Sequence, residues 1–223
     1  MKSSFLAPVS TAIVFTVTLL AVGSASAQDQ ARNTWLAGAV PSLSPESPAV
    51  SLKKIYSNLG PAGNVYDGGG GWIAAGPKDT FTHQQQDVAL PFTPAKNSTV
   101  TQIKVPFQYY SYGVNAGTLA LYSDALGLPG KALAKLDVTN LPVFGVGCCK
   151  LKVWTLKTGI HVKAGKQYWI VATTDKPSID SAYVWDYNYL GTISPLAVQD
   201  NLTGWSVLTF LVSPAASVYG TIP

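Results

Sequence analysis

The chain has 223 residues, of which 47% are hydrophobic, 11% aromatic and only 12% charged. This composition excludes an intrinsically disordered chain, because such chains are rich in charge and poor in aromatic side chains. It also excludes a long coiled coil, since heptads of Ala, Glu, Lys and Leu are absent. The length fits one domain with short extensions.

The first 27 residues have the pattern of a secretory signal peptide. Lys2 is the only charged residue in this segment, the run Ala12–Val22 is apolar or hydroxylic, and Ala25-Ser26-Ala27 fits the small-x-small cleavage rule. The alternative is a membrane anchor, but a proline and several hydroxylic residues interrupt the ~20 apolar residues that a spanning helix needs. We therefore predict cleavage after Ala27, no membrane span in the mature chain, and a secreted or periplasmic location.

The mature chain has a small positive charge that does not indicate a nucleic-acid partner. Without Lys2 it keeps 14 basic residues against 11 acidic ones. A nucleic-acid-binding protein concentrates Lys and Arg on one face, whereas the single arginine, Arg32, lies near the predicted mature N-terminus. No nucleic-acid partner and no cofactor are predicted.

Residues 28–50 are predicted to form a flexible leader, because Pro and Ser recur between Pro41 and Pro48 and disfavour packed structure. From residue 51 to residue 223, short strand-like runs alternate with turns rich in Gly, Pro, Asn and Asp. No helical pattern of the usual length interrupts them. These features predict an all-β fold, an antiparallel jelly-roll-like β-sandwich of about 10–12 strands.

The strand pattern also assigns faces, because alternate side chains of a strand point to opposite sides of its sheet. In the run 167–174, apolar residues occupy both sets of positions, so this strand is predicted to be buried on both faces. The predicted strands are 52–57, 71–75, 86–92, 99–110 with a bend at Pro106, 117–123, 132–138, 150–156, 167–174, 182–188, 196–199, 206–212 and 217–221.

A series of short motifs runs along residues 52–221. In chain order they are Tyr56-Ser57-Asn58-Leu59-Gly60-Pro61, Tyr66-Asp67 with the glycines before Trp72, Leu121-Tyr122-Ser123-Asp124, Gly127-Leu128-Pro129-Gly130, Leu141-Pro142-Val143-Phe144-Gly145 before Cys148-Cys149, Ala164-Gly165-Lys166-Gln167-Tyr168-Trp169 and Val218-Tyr219-Gly220. Together they resemble the choice-of-anchor domains of bacterial exported proteins. The resemblance implies an exported jelly-roll-like sandwich and supplies no catalytic residues. The sorting tail of anchored members is not found here, so surface attachment is not expected.

Cys148 and Cys149 are the only cysteines of the chain. An exported compartment favours disulfides, and the only intrachain disulfide open to them is a vicinal one. Adjacent Cα atoms lie ~3.8 Å apart, below the usual ~4.4–6.8 Å of a disulfide, so such a ring is strained. The alternatives are two thiols, or an intermolecular or metal-bound pair. A zinc site is not predicted, because His83 and His161 offer no Cys-x-x-Cys frame.

Catalysis is poorly supported by the residue types present. Glycosidases commonly use two carboxylates, and the single Glu of the chain, Glu46, lies in the leader. Most Asp residues neighbour Gly, Pro, Ser or Asn, where Asp usually supports turns, and no Gly-x-Ser-x-Gly nucleophile elbow is present. The protein is predicted not to be an enzyme, with an Asp-dependent hydrolase as the weakest alternative.

The glycine run Gly68–Gly71 after Asp67 invites comparison with a phosphate-binding loop. Such a loop requires a following helix and a Lys-Ser or Lys-Thr pair, but Trp72-Ile73-Ala74-Ala75 continues as a strand. We interpret the glycines as residues that permit positive φ in a hairpin or loop.

Aromatic residues give the best argument for binding. Tyr183, Trp185, Tyr187 and Tyr189 alternate and would share one strand face, with Asp186 and Asn188 on the opposite, wetter face. Aromatic rings with polar tips can stack on sugars. Large aromatic side chains are usually buried, so the core is the preferred position for the row, while its end near Asn188–Gly191 could emerge at a loop. Ligand-binding candidates are Trp185, Tyr187, Asn188 and Tyr189. The predicted function is an exported, non-catalytic module that binds an extracellular glycan, with a structural or adhesive envelope protein acting through protein contacts as the alternative.

Overall fold

The computed structural model describes residues 51–145, 150–175 and 178–223. Thirteen strands form the fold, and none of the described residues lies in an α-helix, so no described helix could cross a bilayer. The strands are β1 (Lys53–Ser57), β2 (Tyr66–Ala75), β3 (Gln86–Phe92), β4 (Ser98–Val105), β5 (Phe107–Tyr112), β6 (Ala116–Ala125), β7 (Leu128–Thr139), β8 (Lys152–Val162), β9 (Tyr168–Thr173), β10 (Ala182–Asn188), β11 (Leu196–Asp200), β12 (Gly204–Leu208) and β13 (Ser217–Thr221). The predicted signal peptide and leader lie outside the described residues.

The strands form two antiparallel sheets. The small sheet has the order β1-β13-β4-β8, and the large sheet has the order β5-β10-β2-β3-β9-β6-β7, with β11 added to β3 and β12 added to β11. One apolar core contains residues of both sheets, among them Ile103 and Val218 of the small sheet and Leu90 and Ile170 of the large one. The predicted all-β fold is therefore confirmed, and its two sheets are consistent with a β-sandwich.

The predicted bend at Pro106 is a change of sheet. Strand β4 ends at Val105 in the small sheet, and β5 begins at Phe107 in the large sheet. Proline has no N–H to donate to a strand ladder, so pairing ends at this position. The Pro106 carbonyl still accepts a hydrogen bond from the Asp186 N–H at 3.1 Å, which ties the joint to β10.

The glycine run belongs to β2, and the predicted positive φ is wrong for all four glycines. Strand β2 runs so close to β10 that a Cβ at Gly71 would lie 2.5 Å from the Trp185 carbonyl oxygen. A Cβ at Gly70 would lie 2.9 Å from the Tyr187 ring. These glycines allow close approach of two backbones, which is the other physical use of a residue without a side chain.

The large sheet forks at β3. Strand β2 pairs with β3 only through Ala75 and Gln86, whereas β11 pairs with β3 over four residues. Strand β12, the outer partner of β11, also lies close to β7 at the far edge of the sheet. The part of the sheet made by β7, β6, β9, β3, β11 and β12 therefore curls back on itself, and we call this part the curled region.

The curled region encloses a second, smaller core on the side of the sheet that faces away from the main core. Its buried members are Ala89, Ala120, Trp169, Val171 and Ala197, and Tyr122 and Trp205 pack against them. The interior of a tightly curled sheet is filled by the side chains of its own strands. Alanine side chains at three of these positions therefore allow the strands to lie close together. Strand β9 contributes to both cores, so the prediction that it is buried on both faces is confirmed.

Candidate functional site

The predicted aromatic row lies mostly inside the protein. Tyr183 and Trp185 are fully buried in the main core. The Trp185 Nε1–H donates to the Ala215 carbonyl at 2.7 Å, and the Tyr183 hydroxyl donates to the Thr173 carbonyl at 2.6 Å. The core alternative thus describes these two rings, and neither offers a face to a ligand.

The opposite face of β10 is also buried, so the expectation that Asp186 and Asn188 lie on a wet face is wrong. Strand β10 lies inside the sheet between β5 and β2, and the segment around Ser213 runs beside its end. The Asn188 amide nitrogen donates to the Ser213 carbonyl at 2.8 Å, and its oxygen accepts from the Thr192 N–H at 2.7 Å. Asn188 therefore holds two loops together.

The last two rings of the row are closer to solvent but do not form a shared surface with Trp185. Tyr187 is half-buried and packs edge-on against Trp72, with ring centroids 6.4 Å apart. Tyr189 lies beyond the end of β10 and is 46% exposed. The structure brings only the end of the predicted row to the surface.

Cys148 and Cys149 lie outside the described residues. The described residues that flank positions 146–149 are held to the large sheet by hydrogen bonds. The Gly145 N–H donates to the Gln108 side-chain oxygen at 3.0 Å, and the Lys150 N–H donates to the Tyr66 hydroxyl at 3.2 Å. Within the described part of the chain, no three His, Cys, Asp or Glu side chains are grouped as metal ligands.

One mouth of the curled region is built around Trp169, and we call it the Trp169 mouth. The Asp124 carboxylate accepts hydrogen bonds from Trp169 Nε1 and Gln167 Nε2, both at 2.9 Å, and from the Gly127 N–H at 3.0 Å. Desolvation alone would raise the pKa of Asp124, but these three donors together hold it below its ordinary value. The carboxylate thus fixes both the indole and the amide at the start of β9.

A concave cavity of about 430 Å³ opens at this mouth. Its walls combine aliphatic surface and the half-buried Tyr56 ring with one amide and three hydroxyl groups. Phe92 and Trp169 are only 2% and 1% exposed, so they contribute little of the wall surface. The described lining carries no charged side chain. That size and mixture are typical of small-ligand sites, including those in barrel mouths. The lining residues are Tyr56, Pro91, Phe92, Thr93, Gly127, Gln167, Trp169, Ser194, Pro195 and Val207.

Sequence reasoning missed this cavity, because its walls come from strands that are distant in the chain. Tyr56 belongs to β1, Pro91 to β3, Trp169 to β9 and Val207 to β12. The fork and the curl bring β3, β9 and β12 together, and the packing of the small sheet on the large one adds β1. The motif Gln167-Tyr168-Trp169 was visible in the sequence, but its alternation indicated a buried strand rather than a site.

The opposite mouth of the curled region contains Asp87, and we call it the Asp87 mouth. Asp87 is 5% exposed; its Oδ2 accepts from Gln85 Nε2 at 3.4 Å, and its Oδ1 has no hydrogen-bond partner among the described residues. Desolvation raises the pKa of Asp87 to about 6, against the opposing effect of hydrogen bonds from Thr173 and Gln85. The nearby Lys135 ammonium forms an ion pair with Asp175 at 3.3 Å.

A second buried acid, Asp186, lies between β5 and β2. Gln108 Nε2 donates to Asp186 Oδ2 at 2.7 Å, and the same amide accepts from the Gly145 N–H. Desolvation raises the pKa of Asp186 to about 8, and repulsion from Asp67 adds to this shift. Asp186 has no exposed surface, so it is placed to hold structure rather than to meet a ligand.

An aromatic cluster lies at the β5 edge of the large sheet. Phe81 lies 4.6 Å from Tyr110 and 5.0 Å from Tyr112 between ring centroids, and Tyr110 also contacts Phe144. Phe81 and Tyr112 are exposed. Because the rings pack against one another, neighbouring rings already cover much of the ring faces that a ligand would need.

Comparison of the chain with protein-family models, with curated proteins and with solved structures finds no match. The resemblance to choice-of-anchor domains therefore stays a prediction. What supports a function is the chemistry of the two mouths and of the exposed surface.

Proposed function

We propose that the protein is an exported, non-catalytic β-sandwich that binds carbohydrate in the Trp169 mouth. The observation that carries the proposal is the 430 Å³ cavity, in which the half-buried Tyr56 ring and aliphatic walls stand beside the Gln167 amide and the Thr93 hydroxyl. A sugar ring presents the matching surfaces, an apolar C–H face and a rim of hydroxyls.

The charge of the cavity favours a neutral sugar. None of the described lining residues is ionisable at neutral pH. The adjacent Asp124 carboxylate is already engaged by three donors from Gly127, Gln167 and Trp169. A sugar acid would therefore find no cationic partner here, whereas neutral hydroxyls can exchange hydrogen bonds with the amide and hydroxyl groups.

The test measures binding of a panel of neutral oligosaccharides to the purified protein and to two single variants, Gln167→Ala and Thr93→Ala. Each variant removes one polar contact, which corresponds to roughly three- to tenfold weaker binding. The matched control is Tyr112→Ala, which removes an exposed ring from the β5 cluster and should bind like the unmodified protein.

Two results would contradict the proposed site. One is unchanged affinity in Gln167→Ala and Thr93→Ala. The other is loss of binding in Tyr112→Ala, which would move the site to the aromatic cluster of Phe81, Tyr110 and Tyr112. Circular dichroism of each variant shows whether the fold is intact.

A second candidate function is a structural or adhesive envelope protein that acts through protein contacts. Leu190, Ile193 and Phe210 are 65%, 58% and 85% exposed, and the bridge between Ile193 and Val212 brings their two loops together. Exposed apolar patches of this kind commonly mark contact surfaces. If this candidate is correct, the protein self-associates or co-purifies with envelope proteins, the double variant Leu190→Ser with Phe210→Ser abolishes the association, and no glycan binds.

The non-catalytic part of the proposal is tested with Asp87. If the protein were an Asp-dependent hydrolase, the unmodified chain would cleave a glycan that it binds, and Asp87→Asn would abolish turnover. We expect binding without product formation in both proteins, measured by chromatography of the glycan after prolonged incubation.

A further inference from the structure

In the Asp87 mouth, one buried carboxylate oxygen accepts no hydrogen bond from the described residues. Asp87 faces the second core side of β3, beside Thr173 of β9 and Gln199 of β11. Its Oδ1 is enclosed and without a hydrogen-bond partner among the described residues. Leaving a buried charged oxygen unpaired is costly, typically by ~1–3 kcal/mol or more. The Oδ1 atoms of Asp79 and Asp186 are unpaired in the same way, but of the three carboxyl groups only that of Asp87 lies beside the Lys135–Asp175 ion pair at a mouth of the curled region.

The charges around Asp87 leave it without a cation of its own. Lys135 is the nearby cation, and its ammonium hydrogen-bonds both carboxylate oxygens of Asp175 at 3.3 Å. Asp137 faces the same side from β7 and accepts from the Thr118 hydroxyl at 3.3 Å. The carboxylates of Asp87 and Asp175 thus compete for one ammonium group, and Asp175 forms the ion pair with it.

Two aromatic side chains of the curled region lie near Asp87. Tyr122 of β6 interacts electrostatically with Asp87, Lys135 and Asp175. Trp205 of β12 lies opposite Gln199, which in turn lies opposite Asp87. Both rings pack against the second core and remain partly exposed. Aromatic rings beside a carboxylate are a recurrent setting for organic cations.

We propose that the Asp87 mouth is a binding site for a primary ammonium group, separate from the carbohydrate cavity at the Trp169 mouth. An ammonium brings three N–H donors and one positive charge, which are what the unpaired Oδ1 and the excess negative charge require. The proposal does not depend on the carbohydrate function. The ammonium group could come from a free polyamine or from an amino sugar, and the experiment separates these two sources.

The pH dependence of this site follows from the groups that face Asp87. They are Gln85 before β3, Tyr122 of β6, Lys135 and Asp137 of β7, and Thr173 and Asp175 at the end of β9. Because burial raises the pKa of Asp87 to about 6, the carboxylate accepts a proton below that pH. Ammonium binding should therefore weaken as the pH falls below about 6.

The experiment titrates the full-length mature protein with putrescine and with glucosamine, monitored by calorimetry. N-acetylglucosamine, which lacks the charge, and tetramethylammonium, which lacks the N–H donors, serve as ligand controls. We expect one or both primary amines to bind, and tetramethylammonium to bind at least tenfold more weakly. N-acetylglucosamine, a neutral sugar of the kind proposed for the Trp169 mouth, should not displace the bound amine. Putrescine binding alone identifies a polyamine site, and stronger glucosamine binding identifies an amino-sugar site.

Variants localise the binding. Asp87→Asn keeps the shape of the side chain and should weaken amine binding at least tenfold, whereas the exposed Asp137→Asn should change it less than threefold. Lys135→Met, which removes the competing cation, should strengthen binding and provides an independent check if Asp87→Asn does not fold. The proposal is overturned if no primary amine binds, if N-acetylglucosamine displaces the bound amine, or if amine affinity is unchanged in Asp87→Asn. It is also overturned if Lys135→Met weakens binding.

Discussion

At the scale of single residues, the burial of Asp186 makes the stability of the protein depend on pH. The carboxyl group is enclosed in the large sheet, and burial raises its pKa from the ordinary 3.8 to about 8. Below pH 8 the folded protein keeps a proton on Asp186 that the unfolded chain has released above pH 4. The folded state therefore binds more protons, and the free energy of unfolding falls as the pH rises through this window.

The prediction for Asp186 is specific above pH 6, because Asp87, with its pKa raised to about 6, contributes in the same direction only below that value. Between pH 6 and pH 8 we expect stability to fall by up to about 1.4 kcal/mol per pH unit. Asp186→Asn keeps an oxygen that can accept from Gln108 and removes the titration. It should flatten this slope and raise stability at pH 8, as measured by urea unfolding at pH 6, 7 and 8. An unchanged slope would show that Asp186 ionises normally in the folded state.

Gly71 provides a second test at the residue scale. A methyl group there would lie 2.4 Å from Val184 Cγ1 and 2.5 Å from the Trp185 carbonyl oxygen. Since the carbonyl belongs to the paired backbone and cannot move away cheaply, Gly71→Ala should destabilise the protein by about 1–3 kcal/mol or more. The control is Gly69→Ala, whose nearest neighbour would be the Asp67 side chain at 3.3 Å. Equal unfolding midpoints for the two variants would contradict the close approach of β2 and β10.

At the scale of elements, the curl depends on small residues beneath the β11–β12 hairpin. Ala197 of β11 is fully buried against the second core, opposite Ala89 of β3. A larger side chain there should lift the hairpin away from Tyr122 and Trp169. We expect Ala197→Leu to destabilise the protein by about 1–3 kcal/mol and to shift tryptophan emission to longer wavelength, as Trp205 becomes hydrated. Ala164→Leu, at an exposed turn, should change neither quantity. Normal emission and stability in Ala197→Leu would show that the hairpin is not packed as described.

The elements also show what the sequence can and cannot predict. The strands 86–92, 182–188 and 217–221 were predicted with their observed limits, because apolar or aromatic runs there end at clear turn signals. Strand β2 was predicted five residues too short at its start, because glycine has a low propensity for strands. In the structure, close packing against β10 outweighs that low propensity. The preference of large aromatic residues for the core correctly predicted a buried Trp185, whereas alternation wrongly predicted that the opposite face of the strand is exposed to solvent. Only the tertiary structure shows that Asp186 and Asn188 are covered.

The candidate site was less predictable than the strands. Sequence reasoning identified aromatic residues within one strand, whereas the Trp169 mouth takes its walls from several strands and from the loops beside them. Its assembly depends on strand order and on the fork at β3, neither of which local patterning specifies. Buried carboxyl groups were equally hidden, since Asp87 and Asp186 look like ordinary polar alternation in a strand.

At the scale of the whole molecule, the proposal requires export. If the first 27 residues are a signal peptide, the exported product begins at Gln28, and its intact mass equals that of residues 28–223. If Cys148 and Cys149 form a vicinal disulfide, that mass is lower by two hydrogens and regains them on reduction. A product that retains Met1 and remains with the membrane would contradict export as a cleaved protein.

The most direct test of the central claim follows the tryptophan side chains of the unmodified protein by ¹⁵N NMR while neutral oligosaccharides are added. Trp169 lines the proposed cavity with its Nε1–H bonded to Asp124, whereas the Trp185 Nε1–H is bonded to Ala215 inside the main core. We predict that the Trp169 indole resonance moves in proportion to the bound fraction while the Trp185 resonance stays in place. A Trp169 resonance that does not move when a glycan binds, or a panel in which no neutral glycan binds, would contradict a carbohydrate site at the Trp169 mouth.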